Sequence, residues 1–210
     1  MSKDKKQTVG PAESKNPFFE PYGTPHDVVP FDRIRLEHFE EAFMEGIRRD
    51  NEQIERTINN PEKPTFDNTI INTEEDEGYY DLLSRVSTVF FNLLSAETND
   101  EMDALAQKMQ PILTQHANDV RLNLQLFERI RYVHLHHRTL TPEEKMLLDN
   151  CYEGFVRSGA LLDEAGKERL RQLTEEASVL SLQFSQNLLK EQKASTLDIT
   201  DEAQLDGLPE

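Results

Sequence analysis

The residues that could do chemistry in this chain are six histidines, one cysteine and an excess of carboxylates. A zinc site on a helix needs two His four residues apart with a Glu beside the first. Both imidazoles then reach one ion and the carboxylate can activate its water. No such string occurs in the 210 residues; Glu37-His38 begins one, but position 42 is Ala42. His134, His136 and His137 are the one local cluster, while His26, His38 and His116 stand alone. On a helix, 134 and 137 share a face and 136 points elsewhere, with no carboxylate close by in sequence. The cluster would serve as a metal or regulatory site, or as a helix C-terminus where imidazoles, Arg131 and Arg138 face the negative end of a dipole. The second reading is adopted.

Cys151 is the only cysteine, so an internal disulfide and a thiolate metal cluster are both excluded. It falls on an apolar helical face and reads as a small buried hydrophobe rather than a nucleophile. The acidic run Glu74-Glu75-Asp76-Glu77 could draw a cation, yet negative charge in a first helical turn accounts for it. There is no Gly-rich phosphate loop and no Gly-x-Ser-x-Gly elbow. No catalytic, cofactor-binding or metal-ligating residue is assigned.

The elements that would hold these side chains are helical. Forty acidic residues against 23 Lys and Arg give a formal net charge of −17. That sign repels phosphate backbones and anionic lipid heads, so neither nucleic acid nor a membrane surface is an expected partner. No stretch approaches the roughly 20 apolar residues that span a bilayer, and a cytoplasmic location is the default. Residues 1–15 read as a disordered leader. Prolines 11, 17, 21, 25 and 30 exclude a regular helix before about residue 30, although Phe18, Phe19, Tyr22, Val28, Val29 and Phe31 are expected to pack against something.

From there apolar residues recur at steps of three and four. Leu36, Phe39, Phe43, Ile47, Ile54 and Ile58 line one face, closed by Asn59-Asn60-Pro61. Asp67 or Asn68 is expected to cap a helix carrying Leu82, Val86, Val89, Phe90 and Leu93. Thr98 to Glu101 fits a capping box for the next helix, in which Pro111 should cause a kink or a new start. A short helix with Leu124, Phe127, Ile130 and Tyr132 follows. Thr141-Pro142-Glu143-Glu144 opens another, which breaks at Ser158-Gly159. Asp163 caps the longest element, a straight spine with an apolar seam at Leu170, Leu173, Ala177, Leu180, Phe184 and Leu188. Thr196 to Thr200 alternates polar and apolar and reads as one short strand. The fold class is all-α, an antiparallel helical array with one short strand near the C-terminus.

Read as strings, the residues say more. Asn16-Pro-Phe-Phe, Val29-Pro-Phe-Asp-Arg-Ile, Glu37-His-Phe-Glu-Glu-Ala-Phe and Pro64-Thr-Phe-Asp-Asn-Thr-Ile come first. Val89 to Asp100, Leu140-Thr-Pro-Glu, Phe155 to Leu161 and Ile199 to Glu210 follow in order. Over residues 16–210 the chain resembles the N-terminal third of the thimet oligopeptidase and oligopeptidase A family of zinc metallopeptidases, in its peptidyl-dipeptidase branch. The resemblance implies a helical ellipsoid split by a deep channel, with zinc held by two His and a Glu and a second Glu as general base. It also implies short peptides as substrates, with dipeptides released from their C-termini. None of those catalytic residues has a counterpart here, so the resemblance implies zinc for the longer enzyme and none for this chain. Residues 16–210 would form the N-terminal wall of the channel, with a C-terminal catalytic region as the missing partner. The alternative is a free-standing helical interaction module derived from that wall.

Overall fold

The computed structural model describes residues 16–72, 82–136, 139–195, 199–201 and 206–207. Among them are six α-helices: α1 Leu36–Ile58, α2 Leu82–Ala96, α3 Asp100–Arg121, α4 Leu124–His136, α5 Pro142–Arg157 and α6 Glu164–Ala194. Two 3-10 turns, Pro17–Phe19 and Pro25–Asp27, precede α1, and a π-helical turn, Phe66–Ile71, follows it. The expected leader, the acidic run at 74–77 and His137 lie outside the described residues.

Local chemistry fixes the helix ends. At α5 the Thr141 hydroxyl accepts the Glu144 N–H at 3.2 Å while the Glu144 carboxylate accepts the Thr141 N–H at 2.7 Å, with Pro142 at the first helical position. This is the expected capping box. Gly159, at φ +94°, ends the same helix. Its N–H reaches the Val156 carbonyl at 3.1 Å, and the Ala160 N–H reaches that of Phe155 at 3.1 Å. That double closure needs a left-handed residue, which glycine adopts without a Cβ clash. Asp163 caps α6 by accepting the Gly166 N–H at 2.8 Å.

One expected cap falls elsewhere. α3 is capped by Asn99, whose side chain accepts the Met102 N–H at 2.9 Å; the Thr98 hydroxyl instead donates to the Asp103 carboxylate at 2.8 Å. Asn caps at least as well as Thr, so the start moves one residue. Thr65 caps the π turn, which contains Asp67 and Asn68, and the Asn68 side chain closes the box back onto the Thr65 N–H at 2.8 Å; the start of α2, expected to be capped by Asp67 or Asn68, lies outside the described residues. Nor does Pro111 begin a new helix: α3 runs through it from Asp100 to Arg121, supported by packing on both sides.

The order of paired residues shows how the helices run. Gly46 meets Leu83 while Phe39 meets Phe90, so α1 and α2 are antiparallel. Phe127 stacks on Phe155 and His134 on Tyr152, which makes α4 and α5 antiparallel. Asp103 pairs with Gln186 and Asn118 with Thr174, so α3 and α6 are antiparallel as well.

Two cores hold the array together. The first collects Phe18, Phe39, Phe43, Val86, Phe90, Met102, Ala106 and Met109 from the N-terminal segment and from α1, α2 and α3. Phe90 is its hub, with ring centroids 5.1 Å from Phe39, 5.4 Å from Phe43 and 5.2 Å from Phe91. Each fully buried side chain of this size contributes about 1.5–3 kcal/mol. The first part of the N-terminal segment joins this core: Phe18 and Tyr22 are buried, and the Asn16 side chain donates to the His38 carbonyl at 2.8 Å, whereas Val28 and Phe31, also expected to pack, are exposed. The second core joins Ile54, Phe66, Ile70, Leu126, Ile130, Val133 and Leu148 from α1, the π turn, α4 and α5. Arg129 fastens it, donating to the Asn60 carbonyl at 3.0 Å and the Asn68 side chain at 3.3 Å; its burial lowers the guanidinium pKa. α1 belongs to both cores.

The long helix has the expected length but packs on a different face. Of the expected seam, Leu173, Ala177, Leu180, Phe184 and Leu188 are exposed, while Leu170 is half-buried beside Gly159. The buried positions are Lys167 and Gln186, and the half-buried ones include Thr174, Ser178, Leu182 and Leu189. These lie about a third of a turn round the helix from the apolar stripe. Leu182 packs on the first core, and polar pairs fasten α6 to α3. The Thr174 hydroxyl and the Asn118 amide bond each other at 2.8 and 3.1 Å, Gln107 donates to Gln186 at 3.0 Å, and Arg171 bonds Asp119 at 2.6 Å.

The expected strand is not seen among the described residues. Of Thr196–Thr200, residues 196–198 lie outside the described residues, and Ile199 and Thr200 are in no regular element. Among the described residues there is no strand, and a lone strand with no ladder partner has nothing to stabilise it.

Candidate functional site

Each histidine among the described residues of α1, α3 and α4 has its own structural neighbour. His38 is almost fully buried in the first turn of α1, where its Nδ1 accepts the Arg35 N–H at 3.1 Å. That places the proton of the neutral ring on Nε2 and makes the imidazole a cap. His134 turns from α4 toward α5, with Nε2 3.2 Å from the Asp149 carboxylate and its ring stacked on Tyr152 at 4.2 Å. His136 folds back on its own helix: Nδ1 lies 2.8 Å from the Tyr132 carbonyl and the ring stacks on Tyr132 at 4.2 Å. The two rings thus leave in different directions. Cys151 is half-buried against the second core.

One ionisable pair has no signal in the sequence. His116 of α3 is nearly buried, and its Nε2 lies 2.5 Å from the Asp50 carboxylate of α1. The two are 66 residues apart, and the fold brings them together where α1 and α3 run side by side. A catalytic zinc needs three protein ligands around an open position. His116 with Asp50 and His134 with Asp149 each offer one imidazole and one carboxylate. Among the described residues no group of three His, Cys, Asp or Glu stands in a metal-holding arrangement. The side chains described do not fit zinc.

Two surface features remain. On α1, Glu45 is bracketed by Arg48 and Arg49, at 2.7 and 2.8 Å. Hydrogen bonds from Arg48 and then Arg49 lower its carboxyl pKa to about 2. The larger feature is the outer side of α6. Beside its apolar stripe lies a groove of about 430 Å³, whose walls include Phe91 and Leu94 of α2 and Leu182, Leu188 and Leu189 of α6. Among the described residues no helix is long and apolar enough to cross a membrane.

Known proteins share much of this sequence. Over 197 residues it is 38% identical to the dipeptidyl carboxypeptidase of Salmonella typhimurium, covering 93% of this chain and 28% of that protein. Over 192 residues it is 38% identical to the dipeptidyl carboxypeptidase of Escherichia coli K12, covering 90% of this chain and 27% of that one. Its sequence relatives are dipeptidyl carboxypeptidases and oligopeptidases A. The oligopeptidase A of Escherichia coli is 27% identical over 192 residues, covering 90% of this chain and 28% of that protein. The chain therefore spans a little over a quarter of the length of these relatives. No protein-family model matches it.

Proposed function

We propose that this chain is the N-terminal helical wall of a peptidase that works on short peptides and releases dipeptides from their C-termini. The observation that carries the reading is the 38% identity to dipeptidyl carboxypeptidases across nine-tenths of the chain. The catalytic zinc that the resemblance implies, with its ligands and general base, is assigned to sequence that these 210 residues do not contain. The histidines of α1, α3 and α4 are each engaged with a neighbour and do not fit that metal. The contribution of the chain is steric: a rigid helical surface beside a channel admits a flexible peptide and turns away a folded protein. Alone, it neither holds stoichiometric zinc nor cleaves peptides, because a wall cannot supply the many kcal/mol needed to activate water for amide hydrolysis. The cytoplasm is the proposed location; one relative is named as a cytosolic oligopeptidase A and another as an organellar one.

The test is a chimera in which residues 16–210 replace the matched 192 residues of the Escherichia coli dipeptidyl carboxypeptidase. The chimera is expected to release dipeptides from a blocked short peptide, while the 210-residue chain does not. A folded chimera with no activity, or hydrolysis by the short chain, overturns the reading.

A further inference from the structure

Resting on that reading, we infer that the outer face of α6, centred on Phe184, is the surface on which the rest of a peptidase-length polypeptide packs. Four observations carry this. First, the face is apolar and open: Phe184 is 70% exposed and Leu180 56%, with Leu173 and Leu188 close to half. An apolar stripe that runs along a helix and stays open to solvent marks a contact surface rather than scattered surface residues. Second, Ala177–Leu189 contains no charged residue, in a chain that is 30% charged. A face that stayed in water would gain from charge, whereas a face that is desolvated on docking must lack it. Third, the stripe is not a core face left ajar. The side of α6 about a third of a turn away is already satisfied by α3 through Thr174, Gln186 and Arg171. Fourth, the groove of about 430 Å³ runs alongside and shares Leu188, so the surface offers both a ridge and a depression to an interlocking partner.

Two occupants can be weighed. A second copy would bring another net charge of −17 onto the first, which opposes association. The relatives, by contrast, carry nearly three-quarters of their length beyond the region matched here, and that polypeptide has to meet this wall somewhere. Its contacting surface should be uncharged and largely apolar, with side chains that enter the groove beside Leu188.

The experiment reads coverage of the face by thiol labelling. Cys151 is replaced by Ser, and a reporter is placed by Ala177→Cys, on the stripe, or by Lys190→Cys, on a side of α6 turned away from both stripe and α3. Maleimide labelling of each site is followed by peptide mass spectrometry in the 210-residue chain and in the chimera. Both sites should label at similar rates in the short chain. In the chimera, residue 177 should slow at least tenfold while residue 190 changes little. Phe184→Glu should restore labelling at 177 in the chimera without altering the helical content of the short chain, since Phe184 is mostly exposed. An active chimera in which residue 177 labels as fast as in the short chain overturns the inference and leaves the proposed function standing. Protection of residue 177 that grows with short-chain concentration would give the face to a second copy and also overturn it. A folded but inactive chimera with residue 177 fully reactive removes both.

Discussion

Gly46→Ala should destabilise this chain although alanine is the better helix former. At an exposed helix interior the exchange stabilises by about 1 kcal/mol. Gly46 is buried where α1 crosses α2, and a Cβ there would stand 2.9 Å from the Leu83 backbone Cα and N and 3.0 Å from its Cβ. Non-bonded carbons rest about 3.5–4.0 Å apart, so the helices must separate by roughly 0.5–1 Å. The obstructing atoms are backbone, which cannot rotate aside, and separation loosens the Phe43–Phe90 contact on the same seam. Overpacking of this kind costs about 1–3 kcal/mol, and the immobile obstacle puts this site in the upper part of that range. The net expectation, after the gain in helix propensity, is a loss of about 1–2 kcal/mol. Gly154 supplies the control: it lies exposed in α5, where an added Cβ would meet nothing within 4 Å, so Gly154→Ala should gain about 0.5–1 kcal/mol. Urea unfolding followed by helical ellipticity measures both. If Gly46→Ala is as stable as the parent while Gly154→Ala gains, the close approach of α1 and α2 is wrong.

Two further predictions rest on single side chains. Glu45 is held at about 2 against an ordinary value of 4.5, so its ion pairs contribute fully above the ordinary value and are lost as pH falls toward about 2. A carboxyl titration by NMR should show that low midpoint, and Arg48→Ala with Arg49→Ala should return it toward 4.5; a midpoint already near 4.5 in the parent removes the pairing. The Tyr22 hydroxyl is buried with no hydrogen-bond partner among the described residues, and burial raises its pKa. Tyr22→Phe should therefore leave stability unchanged or raise it by up to about 1 kcal/mol, and a clear loss in urea unfolding would show that the hydroxyl is satisfied.

The helices were legible in the sequence because their signals are local. Thr141 with Glu144, Asp163, and Gly159 each act within four residues, and each forms the end expected of it. The cap of α3 slipped because Thr98 and Asn99 are adjacent competitors, and only the fold decides between them. The π turn at Phe66–Ile71 has no periodic signature in six residues. The largest misreading, the seam of α6, has an instructive cause. Periodicity reports that an apolar stripe exists but not what covers it, and the face that packs mixes Leu182 with Thr174 and Gln186, which no hydrophobic pattern selects. His116 and Asp50 stayed hidden for a related reason, since contact between residues so far apart in the chain is a product of helix order. The kinship with peptidases, in contrast, was legible from strings of residues, because identity in register needs no physical account of the fold.

The polar pins between α3 and α6 settle something an apolar seam would leave open. Hydrophobic contact has no direction, and a helix held by it can slide or roll with little change in energy. The Asn118–Thr174 exchange, the Gln107–Gln186 bond and the Arg171–Asp119 pair are directional and spread along the helix; a slip of one turn or a roll of a third of a turn would break all three at once. α6 is thereby locked in both axial position and roll angle before anything meets its outer side. A partner finds Leu180, Phe184 and Leu188 already aimed, and the entropy of ordering that ridge has been met inside the chain rather than at the moment of association.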